Sequence, residues 1–130
     1  MIVYLDTCII IYLVEERPGY CPQIEALIQQ TSQAILAFSA LSELECLVLP
    51  FKNQQQVLID KFRNWFRQAR FLELERTLFE DAARLRAAHR GLKTPDAIHL
   101  AAAQHHGCQQ FWTNDDRLSI IAPNLVKRIT

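Results

Sequence analysis

The sequence predicts an α/β fold: a mostly parallel sheet of about five strands with helices on both faces. Two observations carry this. Short β-rich runs recur between longer helical patterns, and parallel neighbours need crossovers of a dozen or more residues, which those helical stretches supply. With 130 residues, 50% of them hydrophobic, the chain is large enough to bury one core and too short for two ordinary ones. One domain over residues 1–130 is expected.

The first strand is the apolar run Ile2 to Leu5, followed by a helix over Thr7 to Val14 and a second from Pro22 to Gln30. A second strand is expected at Ala34 to Ala37 and a helix at Ser42 to Leu49. From Gln54 to Ala69, the apolar residues Leu58, Phe62, Trp65, Phe66 and Ala69 recur at three- and four-residue steps, while Lys61, Arg63 and Arg67 lie mostly elsewhere. That helix is amphipathic, and its stripe reads as core, although two adjacent large aromatics would also suit a dimer or partner groove. Phe71 to Leu74 forms a third strand, Leu78 to His89 and Pro95 to His106 form two helices, and Gln109 to Thr113 forms a fourth strand. Val126 to Ile129 is the weakest of the five strands. Of only three glycines, Gly91 and Gly107 fall where helices should stop. No repeat, low-complexity tract or linker interrupts this order.

Formal net charge is zero, but the charges are unevenly spread. Residues 1–51 carry one basic and six acidic residues, and residues 52–93 carry ten basic and five acidic. An acidic first third beside a basic middle suits a metal cluster next to a phosphate-binding surface; a solvated, salt-bridged helical face would have the same composition. The four cysteines, Cys8, Cys21, Cys46 and Cys108, show no CxxC spacing and sit in or beside apolar runs. They read as buried thiols in a reducing compartment. The N-terminal MIVYLDTCIIIYLV lacks the basic region of a signal peptide and carries an Asp in its middle. No stretch reaches the roughly 18 uninterrupted apolar residues of a membrane span. A soluble, cytoplasmic protein is expected.

Four acids stand at the edges of otherwise apolar or small-residue segments: Asp6, Glu45, Asp96 and Asp115. Asp6 directly follows the first strand and Asp115 follows the strand ending FWT, which puts both at carboxyl ends, where open parallel sheets bind ligands. Asp96 lies near the start of a helix with a small, apolar body, and Glu45 in the first turn or two of its own. Each also has a structural reading. Thr94-Pro95-Asp96 looks like a helix start with Thr as cap. Ser42-x-x-Glu45 is a capping-box pattern. Asp115 and Asp116 suit a turn after a strand. Asp6 is harder to explain in this way, because a carboxylate between YL and TCIIIYL needs a partner to offset its burial.

Taken together, the four point to one end of one sheet. Two unit charges about 4 Å apart repel by about 4 kcal/mol at an effective dielectric near 20, so such a pocket calls for a cation. All-oxygen donors without paired Cys or His favour Mg²⁺ or Mn²⁺ over zinc. An ion of that kind keeps waters and takes up phosphate oxygens, which suggests phosphodiester hydrolysis by metal-activated water.

The segments YLDTCIIIYL, SALSELECLVLP, TPDAIHLAAA and FWTNDDRL, in this order, resemble the PIN-domain ribonucleases, specifically the VapC-type toxins of bacterial and archaeal toxin–antitoxin pairs. The similarity spans essentially the whole chain. It implies a three-layer α/β/α PIN-like domain and a Mg²⁺- or Mn²⁺-dependent endoribonuclease that cleaves an RNA substrate. It also implies a homodimer and a small antitoxin whose C-terminal segment occupies the active-site groove. The family's acids, catalytic and metal-holding alike, fall on Asp6, Glu45, Asp96 and Asp115. Glu43 competes for the second position, but the family's hydroxyl residue three places earlier and following Cys match Ser42 and Cys46 and select Glu45. The Thr-Asn-Asp run selects Asp115 over Asp116. Thr113 and Asn114 are candidates to position water or ligands. His99 shares a helical face with Asp96, and reads first as a satisfied helix histidine. Arg117 is a candidate phosphate contact, as are Lys61, Arg63, Arg67, Arg84, Arg86 and Arg90.

Other function classes fit less well. A phosphoacceptor receiver domain needs an acidic pair after its first strand and an Asp after its third, where this chain has Asp-Thr-Cys and Glu-Arg-Thr. A HAD-type phosphatase needs Asp-x-Asp, and Cys8 takes the second position. Two alternatives stay within the PIN fold: an RNA-processing nuclease without an antitoxin, and a catalytically inactive binding module.

Overall fold

Strand β1 (Ile2–Leu5) is the centre from which the chain winds in both directions in the computed structural model, which describes residues 1–129. It is followed by α1 (Thr7–Val14), α2 (Cys21–Gln30), β2 (Ile35–Phe38), α3 (Ala40–Lys52), α4 (Gln56–Gln68) and β3 (Arg70–Phe71). Then come α5 (Arg76–Ala88), α6 (Thr94–His105), β4 (Gln110–Thr113), α7 (Asp116–Ile121) and β5 (Val126–Arg128). The strands form one sheet in the order β3-β2-β1-β4-β5, and every neighbouring pair is parallel. The winding reverses between β1 and β4, and a reversal of this kind opens a crevice at the carboxyl ends of the two strands. The register pairs Leu5 with Trp112, so Asp6 and Thr113 are the next residues out on adjacent strands.

Alternation along the strands divides the interior into two cores, one on each face of the sheet. Val3 and Leu5 of β1 join Phe38 and Trp112, and are covered by Ile9, Ile10, Ile24 and Phe62 of α1, α2 and α4. Tyr4 points the other way with Ala37 and Phe111 and is covered by α5 and α6 through Leu78, Ala82, Leu100 and Ala101. The rings of Tyr4 and Phe111 stack at 5.4 Å, with 10° between planes. The result is the expected three-layer arrangement. The small body of α6 (Ala97 and Ala101 to Ala103, all buried) lets that helix lie close on the sheet.

On α4, Phe62 is fully buried, and Trp65 and Phe66 are half-buried against Phe38. The stripe is core, as its spacing predicts. Several bounds differ from the sequence expectations by one or two residues, as for β2, α4 and α5, and three differences are larger. Strand β3 has only two residues and precedes most of Phe71 to Leu74, because after the Leu72 N–H bonds the Phe38 carbonyl the chain leaves the sheet edge toward α5. Helix α3 begins two residues earlier than Ser42 and runs past Pro50 to Lys52. A seventh helix, α7, fills the connection between β4 and β5; at six residues it is too short to show a periodic pattern. Among the described residues, no helix is long and apolar enough to cross a membrane.

Candidate active site

Asp6 stands where β1 ends and α1 begins. Its backbone N–H still bonds to the Trp112 carbonyl at 2.9 Å, which extends the ladder by one step. Its side chain caps α1: Oδ1 accepts from the Thr7 N–H at 2.8 Å, while Oδ2 accepts from the Thr113 hydroxyl at 2.7 Å. Thr113, fully buried at the end of β4, also accepts at its Oγ1 from the Asp115 N–H at 3.1 Å. One hydroxyl thus joins the carboxyl ends of β1 and β4. Asp115 in turn caps α7, where Oδ1 accepts from the Arg117 N–H at 3.0 Å. The Arg117 guanidinium grips the same carboxylate with Nε at 3.0 Å and Nη2 at 2.7 Å.

Glu45 reaches this group from the second turn of α3. Its Oε1 accepts from the Thr7 hydroxyl at 2.8 Å and from His99 Nε2 at 2.6 Å. Thr7 therefore holds Asp6 through its backbone and Glu45 through its side chain. Glu45 is not a capping residue. The capping box of α3 is formed by Ser39 and Ser42, with the Ser39 N–H donating to Ser42 Oγ at 3.1 Å. This leaves Glu45 free to face the crevice. Thr94 is likewise the first residue of α6 and not its cap; its hydroxyl accepts from Arg86 Nη1 at 2.8 Å.

His99 lies one turn beyond Asp96 on α6 and is only 1% exposed. An ionised carboxylate can only accept, so Nε2 carries the proton toward Glu45. Nδ1 is then the acceptor for the Tyr4 hydroxyl, 2.6 Å away. The Tyr4 oxygen lies 2.9 Å from Ser39 Oγ, which completes a buried chain from the start of α3 to Glu45. Burial raises the Tyr4 phenol far above its ordinary range and keeps it a donor. The sequence places His99 on the Asp96 face but does not reveal this role, nor that of Thr7, because both act through residues distant in the chain.

Asp96 differs from the other three acids. It is half-buried in the first turn of α6, and among the described residues no side chain or backbone group hydrogen-bonds its carboxylate. Burial first, and then the negative charges of Asp6 and Asp115, raise its pKa above the ordinary value; His99 and Arg117 offset this only in part. Glu45 moves the other way: burial opposes ionisation, but the hydrogen bond and charge of His99 and the Thr7 hydroxyl outweigh it and lower the pKa. Asp115 is lowered chiefly by its bond to Arg117. Asp96 thus senses the charges of Asp6 and Asp115, whereas Glu45 is governed by His99 and Thr7. Among the described residues no three of the four acids bring ligand atoms within 4.8 Å of one another. They form a rim and not a closed cage, a spacing that suits an ion retaining several waters.

A cleft of about 380 Å³ opens beside this rim, lined by Asp96, Arg117, Leu118 and Ile121 together with the turn between α5 and α6, which includes Arg90. Of the proposed phosphate-path residues, Arg90 and Arg117 border the acids. Arg84 pairs with Glu80 and Asp81, Arg86 is held by the Leu92 carbonyl and Thr94, and Arg63 lies over the Phe51 ring. Lys61 and Arg67 stand on the exposed face of α4. The neighbouring Cys8 thiol donates to Asn114 Oδ1 at 3.2 Å and is pushed up to about 12, mostly by burial and then by Asp6. It is therefore no nucleophile. Asn114 Nδ2 donates to the Tyr12 hydroxyl at 2.6 Å, so this side chain is held away from the acids by two contacts on α1.

A family model described as PIN domain matches residues 3–123. No curated protein matches the sequence. Among solved structures, the fold is similar to VapBC2 from Rickettsia felis, solved bound to a DNA fragment from its promoter. The TM-score is 0.80, at 16% identity, with 100% of both chains covered. A toxin–antitoxin complex from Klebsiella pneumoniae matches with a TM-score of 0.75 and 24% identity over 96% of each chain. VapC20 of Mycobacterium tuberculosis, a Sarcin-Ricin loop cleaving toxin, matches with a TM-score of 0.74 and 16% identity, over 92% of this chain and 95% of that one.

Proposed function

The chain belongs to the PIN-domain family, and from that premise we propose that it is a Mg²⁺- or Mn²⁺-dependent endoribonuclease, the toxin of a toxin–antitoxin pair. The observation that carries the proposal is Asp96, a half-buried carboxylate with no hydrogen-bond partner among the described residues, set against the charges of Asp6 and Asp115. Such a group is destabilising unless a cation or a proton joins it. The donors are hard oxygens, which fits Mg²⁺ or Mn²⁺.

In this reading Asp6, Glu45, Asp96 and Asp115 hold the metal. A divalent ion held by these residues would supply polarisation of a phosphate oxygen and a lowered pKa for a bound water. The protein's own part is orientation. Thr7 and Thr113 fix Asp6, while Thr7 and His99 fix Glu45, each through a charge-assisted bond shorter than 2.9 Å. Asp96 or Asp115, whichever stands clear of the metal, would accept the proton of the attacking water. Arg117 leaves its exposed guanidinium beside the rim, and with Arg90 at the adjoining cleft it supplies positive charge for an RNA backbone.

The partner proposed is a small antitoxin, supported by the resemblance to toxin–antitoxin complexes. Expressing the chain alone in a bacterial host should arrest growth, and co-expressing a small antitoxin encoded beside its gene should restore it. Unimpeded growth of cells containing the soluble protein would contradict the toxin assignment. A homodimer is proposed as well, which light scattering would read as twice the 15.1 kDa chain mass.

A further inference from the structure

At the opposite end of α6 from Asp96, three donors converge that the proposed nuclease does not use. Glu75 is the residue preceding α5, and His105 and His106 are the last residue of α6 and the one after it. Nε2 of His105 and Nε2 of His106 lie 3.2 and 3.3 Å from the same oxygen, Glu75 Oε2. Among the described residues, this is the group of three potential ligands whose donor atoms all lie within 4.8 Å of one another. We propose that Glu75, His105 and His106 form a site for a zinc-like divalent transition ion, separate from the acidic crevice.

Consecutive helical residues point about 100° apart, so helix periodicity does not bring two neighbouring imidazoles together. They meet only because α6 ends there and Glu75 supplies a shared target from the start of α5. The rings stand at 79° with centroids 5.1 Å apart, which turns both Nε2 atoms toward one point without stacking. Bonds of about 2.1 Å in tetrahedral zinc coordination put neighbouring donors about 3.4 Å apart, close to the two separations found. Two imidazoles and one carboxylate, with a fourth position left to solvent, form a common zinc ligand set, and imidazole selects zinc over Mg²⁺. Each Nε2 now faces oxygens that can only accept, so it carries a proton. On binding, that proton leaves Nε2 to solvent, the imidazole holds a single proton on Nδ1, and the Nε2 lone pair turns to the ion. His106 Nε2 then gives up its contact with the Glu73 carbonyl, 2.7 Å away. Side-chain exposures of 44%, 33% and 21% for Glu75, His105 and His106 leave the site open to an ion from solvent. The nine residues from Asp96 to His105 span about 13 Å of helix, too far for one ion to serve both places.

The test is a Zn²⁺ titration of the untagged, metal-free full chain against a chromophoric chelator, with Mg²⁺ in excess to fill the acidic crevice. One equivalent should bind. Glu75→Gln and His106→Ala should each weaken it at least about tenfold, the size of loss that follows even when an outer partner of a metal ligand is removed. Asp6→Asn should leave it unchanged. Undiminished Zn²⁺ binding in both Glu75→Gln and His106→Ala, or its loss in Asp6→Asn, overturns the proposal. Glu75→Gln preserves shape at an exposed position, so a folding failure of His106→Ala would not blur the reading.

Discussion

Asp96 and Glu45 sit in the same crevice, yet their proton affinities move in opposite directions, and partners explain the difference. Glu45 receives two short hydrogen bonds and Asp96 none among the described residues. For Glu45 the lowered pKa means that folding favours the ionised form; its contribution is present above the ordinary carboxylate range and is lost as pH falls through the lowered value. For Asp96 the sign is reversed. Its ionisation works against the folded state, and that cost is absent at low pH, grows as pH rises through the raised pKa, and is complete at neutrality. Asp96→Asn should therefore raise the melting temperature of the metal-free protein at pH 7. Partial exposure and screening limit the gain to about 3 °C, and it should shrink as pH falls through the carboxylate range. Added Mg²⁺ should stabilise the wild type and not the variant. A metal-free Asp96→Asn less stable than wild type at pH 7 would show that the carboxylate has a structural partner.

Helix α3 shows how a local signal can be correct in type and wrong in register. Ser42-x-x-Glu45 has the form of a capping box, but an identical hydroxyl at Ser39, three residues before Ser42, sets the true start. Sequence alone does not separate two serines at the same spacing; their surroundings do, since Ser39 is tied to Tyr4 across the sheet. The consequence is testable in the helix. Ser42→Ala should cost about 1 kcal/mol, the usual worth of a lost cap, read as a lower urea midpoint with metal affinity unaltered. Glu45→Gln should also lower the midpoint at pH 7, because folding favours the ionised carboxylate, but unlike Ser42→Ala it should bring a clear loss of metal affinity. Exchanged effects on metal affinity would return Glu45 to a capping role. The short elements were displaced or missed for related reasons. The sequence sets β3 at Phe71 to Leu74 and the structure at Arg70–Phe71, while the six residues of α7 carry too little periodicity to register. Helix α1 has its expected bounds of Thr7 to Val14, and its cap is Asp6, the acid for which the sequence offered no capping role.

At the scale of the whole molecule, the parallel sheet was legible because alternation of strand and helix leaves few other topologies. The positions of Asp6 and Asp115 were legible because strand ends follow from strands. The connections of the acids were not, since Thr7, Tyr4, His99 and Thr113 reach across 92 to 107 residues of chain or through a neighbouring strand to make them. The sheet order puts the reversal of winding between β1 and β4, and the side chains around that reversal converge on Asp6. The most direct measurement is therefore cleavage of total cellular RNA by the purified chain, wild type against Asp6→Asn, with Mn²⁺ and with a chelator. The wild type should produce discrete new RNA ends with Mn²⁺ and none with the chelator, and Asp6→Asn should be slower by about 100-fold or more. Equal cleavage by the two proteins, or cleavage that persists in the chelator, would contradict a metal-dependent nuclease centred on these acids.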